Sequence, residues 1–176
     1  SKVYFYFIML KKILNASLII SIFYSNLIFA DTLFEGASKR GINETCALYL
    51  GQVEKSYDLQ GLNITFAHPE SPSLFPTLHI STQKFNNGAS TFSATLIPDQ
   101  DFCYLSTVFI TAVNDQTCED ITKLKTDQNP NLQVSEYNEG AYTIITPSDS
   151  SYQVILASLG EKGCSINETR MMWPGR

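Results

Sequence analysis

Four cysteines, Cys46, Cys103, Cys118 and Cys164, constrain this chain of 176 residues more than any other feature. Their number is even, and no two are spaced as C-x-x-C or C-x-x-x-x-C, the close pairs from which structural zinc sites are built. Neither His68 nor His79 stands near one of them in sequence. The pattern points to two structural disulfides, no metal ion and an oxidising compartment. Four cysteines allow three pairings, and the choice among them depends on the fold.

Export is written at the other end of the chain. Residues 1–30 contain Lys2, Lys11 and Lys12 but no Asp or Glu. An apolar run from Ile13 to Phe29, broken by Asn15, Ser17, Ser21, Ser25 and Asn26, leads to Ala30. A basic start, an apolar middle and a small exit residue make a secretory signal peptide, with Met9 as its natural start and cleavage after Ala30. Ile28 sits where cleavage favours a small residue, which leaves an uncleaved anchor as the alternative. The run is shorter than the ~20 apolar residues of a membrane span. Residues 31–176 are then one mature domain, periplasmic or secreted, with no membrane span after cleavage.

Within that domain, Cys46, Ala47, Leu50 and Val53 recur at helical spacing behind an Asn43 cap, predicting a helix over 43–57. Strand formers follow at 62–67, 77–85, 90–97 and 102–113. Asn86-Asn87-Gly88 and Pro98-Asp99-Gln100-Asp101 read as hairpin turns between them. Strand 102–113 has large residues on both sides and belongs in the centre of a sheet. A second helix is expected over 116–125, with Glu119 and Asp120 in its first turn and Lys123 and Lys125 in its last. Three further strands, 132–137, 142–146 and 152–158, are separated by polar turns. The fold class is α+β: an antiparallel sheet of six or seven strands in meander-like order, with two helices on one face and two disulfides.

Strand length selects among the disulfide pairings. Cys103 and Cys118 bracket a strand on the order of 30 Å long, whereas a disulfide needs Cα atoms within about 7 Å. That excludes Cys103 with Cys118. Cys46–Cys118, helix to helix, and Cys103–Cys164, strand to strand, are preferred. Cys46–Cys103 with Cys118–Cys164 stays open.

Catalytic constellations are scarce. With two histidines, no G-x-S-x-G and no glycine-rich loop before a helix, no hydrolase triad or phosphate cradle is legible. Asp99 with Asp101 and Glu119 with Asp120 are explained as turn and cap residues. Nine basic and 17 acidic residues after Ala30 give a net charge of −8, which argues against nucleic acid as a partner.

Three surfaces are candidates for recognition. One is a polar sheet face carrying His79, Ser81, Gln83, Thr91, Ser93 and Thr95. Another is the proline-stiffened loop 68–76, tipped by Leu74 and Phe75. The third is the tail that holds Trp173. Asn43, Asn63 and Asn167 each open an N-x-Thr sequon, a match expected by chance in a chain this rich in Asn and Thr. The leading expectation is an exported, non-catalytic binding module without cofactor. Its partner would be a protein of the envelope or extracellular space, engaged as by an inhibitor or accessory factor. The alternative is a small secreted hydrolase or carbohydrate-active domain using a carboxylate or His79 in a pocket of the polar face.

Overall fold

A computed structural model describes residues 31–172. The anticipated signal peptide and Trp173 lie outside the described residues. Three helices, α1 (Leu33–Lys39), α2 (Glu44–Tyr57) and α3 (Cys118–Gln128), accompany eight strands. The strands are β1 (Leu62–Phe66), β2 (Thr77–Phe85), β3 (Gly88–Asp99), β4 (Phe102–Val113), β5 (Gln133–Tyr137), β6 (Tyr142–Thr146), β7 (Tyr152–Leu159) and β8 (Gly163–Met172). All pair antiparallel in one sheet of order β1-β2-β3-β4-β8-β7-β6-β5.

The fold is α+β as the sequence predicts, but β8 makes it something other than a single meander. β1–β4 form one meander and β5–β8 a second. The last strand returns to the middle of the sheet, pairing Leu105 with Met172 at one end and Val113 with Cys164 at the other. β4 is central, as its two-sided apolar pattern requires. Eight strands and three helices replace the six or seven and two expected.

Local chemistry accounts for each helix. Asn43 caps α2 by accepting from the Cys46 N–H at 3.2 Å. Thr117 and Asp120 form a capping box at α3. α1 has its own box between Thr32 and Glu35, and a second device comes from α2. Buried Glu54 accepts from the Leu33 and Phe34 N–H groups at 2.6 and 3.2 Å, so a carboxylate meets the first-turn donors that no helix satisfies internally.

Two apolar clusters lie between helices and sheet. α1 and α2 pack Leu33, Leu50 and Val53 on Phe92, Leu96 and Leu105. Under α3, Ile121 meets Ile145, Val154 and Leu156. Each cluster holds one disulfide: Cys46–Cys103 ties α2 to the start of β4, and Cys118–Cys164 ties the start of α3 to β8.

These bonds correct the preferred pairing. The argument that separates Cys103 from Cys118 applies equally to Cys164, because β8 places Cys164 opposite Val113, at the far end of β4 from Cys103. Cys46–Cys118 fails for a related reason, since α2 covers β3 and β4 while α3 covers β6, β7 and β8.

Sequence separations of 57 and 46 residues give each bridge about 4 kcal/mol of unfolded-state restriction in the chain-entropy view. Non-reducing peptide mapping should recover Cys46 joined to Cys103 and Cys118 joined to Cys164. Replacing either pair by Ala should lower unfolding stability by about 2–5 kcal/mol in a denaturant titration. Recovery of Cys46 with Cys118 would refute this arrangement.

Candidate functional site

The anticipated polar face divides into two. Directly paired residues of an antiparallel ladder share a face. The tight turn at Asn86-Asn87 pairs Phe85 with Gly88, so odd-numbered residues of β2 lie beside even-numbered residues of β3. His79, Ser81 and Gln83 therefore stand opposite Ala94, Phe92 and Ser90 on the helix-covered face. Thr91, Ser93 and Thr95 pair instead with Thr82, Ile80 and Leu78 on the open face. Gly88 is needed for the approach of the strands, since a Cβ there would stand 1.9 Å from the Ala112 carbonyl oxygen.

His79 is fully buried beside α1, not displayed on a solvated strand. Its Nε2 hydrogen-bonds Thr77 Oγ1 at 2.8 Å and its Nδ1 hydrogen-bonds Thr65 Oγ1 at 3.2 Å. A neutral imidazole has one donor and one acceptor, and two hydroxyls satisfy both. Burial lowers its pKa to about 4. Both nitrogens are engaged by hydroxyls, which leaves the ring without the orienting carboxylate of a general base. The polar cluster continues to Asn63, whose Nδ2 donates to the Asp31 carbonyl at 2.7 Å.

A second polar group, missed in the sequence, lies between the two apolar clusters. Tyr57 Oη donates to Glu168 Oε1 at 3.1 Å, Arg170 Nη2 lies 3.4 Å from the same oxygen, and the guanidinium sits 5.1 Å from the Tyr152 ring centroid. Burial, then the Glu168 carboxylate, raise the Tyr57 pKa. Beside Arg170 opens a cleft of about 760 Å3 reaching Asp149 and Ser151. The Ser151 N–H donates to Asp149 at 3.0 Å and holds that carboxyl below its usual range. Glu168 and Arg170 alternate with polar neighbours on β8, so no hydrophobic pattern announced the strand or the pair.

Loop 67–76 is ordered from within. His68 Nδ1 accepts from the Glu70 and Ser71 N–H groups at 3.3 and 3.1 Å, and the imidazole lies 4.7 Å from the Phe75 ring. The Leu74 N–H donates to the Ser71 carbonyl at 3.2 Å, and Pro72 packs beside Gly41. Leu74 nevertheless remains 72% exposed and Phe75 47%.

Among the described residues, no three His, Cys, Asp or Glu side chains gather as a metal site needs, and no helix is long and apolar enough to cross a membrane.

Burial of His79 has a measurable consequence. The unfolded imidazole titrates near pH 6.5 and the folded one near 4, so in that window the unfolded state binds a proton that the folded state refuses. Stability should be unaffected by this group above pH 6.5 and should fall between pH 6.5 and 4 by up to about 3 kcal/mol. Denaturant titrations across this range should show a shallower decline for His79→Gln. Equal declines would rule out the buried neutral ring.

Against known protein families, curated proteins and solved structures, the chain finds no match.

Proposed function

We propose that this protein is an exported, non-catalytic binding module that engages a protein of the envelope or extracellular space through loop 67–76, as an inhibitor or accessory factor does. One observation carries the reading: three backbone N–H groups of the loop, those of Glu70, Ser71 and Leu74, are bonded within it, yet its apolar tip stands outside. Three prolines, Pro69, Pro72 and Pro76, fix φ along it, and His68 supplies an internal strut. A loop already held in one conformation loses little entropy on docking, which is how stiff protruding segments reach useful affinity. Leu74 and Phe75 are the anchors available to enter a partner's pocket.

Two disulfides and the leader-like residues 1–30 support an oxidising destination. The hydrolase alternative loses His79 as a base, because the ring is enclosed and bonded to two threonines.

The test uses oxidised protein as bait against envelope extract and culture supernatant. Wild type should retain a protein at stoichiometric ratio, and Leu74→Asp should weaken that capture at least about tenfold with the fold unchanged by circular dichroism. His68→Ala, which removes the strut but not the anchors, should weaken it less. Equal capture by wild type and Leu74→Asp would dismiss the loop as the contact.

A further inference from the structure

Among the described residues, none forms a layer over the sheet face turned away from the helices on any of the eight strands. Following the ladders across it, Phe66 pairs with Leu78, Ile97 with Tyr104, Ile110 with Thr91, and Tyr137 with Tyr142. Leu62, Phe66, Ile97, Ile110, Tyr137 and Tyr142 are all exposed there. Among the described residues, the strand register puts only two charged side chains on this face, Lys84 near the end of β2 and Asp99 at the end of β3. Between them run apolar groups, hydroxyls and amides. A sheet normally buries each apolar face against another layer, and an exposed patch of this extent marks a contact surface.

We propose that the occupant of this face is a second copy of the chain, packed open face to open face in a two-fold dimer. Area is the first argument. Seven strand spacings of about 4.8 Å and strands averaging roughly 27 Å give a face on the order of 900 Å2. A specific interface takes about 800 Å2 from each partner, and two thirds of this face still reaches the lower bound of that class.

Charge is the second. Residues 31–176 carry 17 acidic and nine basic side chains, yet almost none of that excess stands here. A cationic partner would be drawn to the acidic helices and loops, away from a face that has nothing to pair with it. A neutral surface of apolar and hydroxyl groups is complementary to itself, and a two-fold interface requires that self-complementarity. Stacked at the angle set by their twist, two such sheets make the interior of a β-sandwich, with helices on the outside. The dimer and the Leu74 loop are independent readings.

Sedimentation equilibrium of the oxidised chain over a wide concentration range tests the dimer. Wild type should associate to a dimer. Ile110→Lys, which sets one cation in the middle of each face, should raise the dissociation constant about tenfold or more. Thr91→Lys deletes no apolar side chain and should do the same, so it decides the matter if Ile110→Lys does not fold. Leu48→Lys, on the exposed side of α2, should leave association unchanged. A monomer at every concentration would overturn the dimer, as would an oligomer that both face variants leave intact or that Leu48→Lys disrupts equally.

Discussion

The pairing of β4 with β8 is the interaction on which the rest of this structure depends. Without it the chain would be two four-stranded meanders, each with one short apolar cluster and one disulfide. The ladder from Leu105–Met172 to Val113–Cys164 makes one continuous sheet of them and brings Glu168 and Arg170 of β8 beside Tyr57 of α2. That seam is polar because it lies where the apolar clusters stop. Its carboxylate is answered by a phenol and a guanidinium, as a half-buried charge requires.

The same division explains where the covalent bonds fall. Each disulfide crosses from a helix to the strand beneath it, inside one half, and neither spans the seam. The halves are stapled separately and joined by the β4–β8 ladder, side-chain packing and the Tyr57–Glu168 hydrogen bond. Sheet continuity is therefore secured by the nine-pair ladder of β4 and β8 and by neither disulfide. α1 shows a related economy: seven residues long, it is held by Leu33 and Ala37 in the core and by Glu54 at its first turn.

Most elements were legible because their patterns are strong. β2, β4 and β6 occupy the stretches that alternation and turn residues predict, and α2 follows its apolar spacing from an asparagine cap. β8 was not, because Ser165, Asn167 and Thr169 lie on one side and Glu168 and Arg170 on the other, leaving no period to read. α1 is too short to show one. Alternation within β2 alone does not say which of its sides the helices cover, so it leaves the side of His79 undetermined. The two-residue turn at Asn86-Asn87 already fixes which side of β3 each β2 residue joins, so pairing parity could have placed His79 with Ala94. Cysteine pairing required the position of β8 and could not be settled before it.

A central strand that comes last among the described elements also sets the order in which the sheet can close during synthesis. Residues through Cys103 contain everything needed for the first bridge, whereas the second waits for Cys164, and β4 has one bare edge until β8 emerges. Until β8 forms, the chain would thus present a half-paired sheet, its inner edge open to any strand nearby.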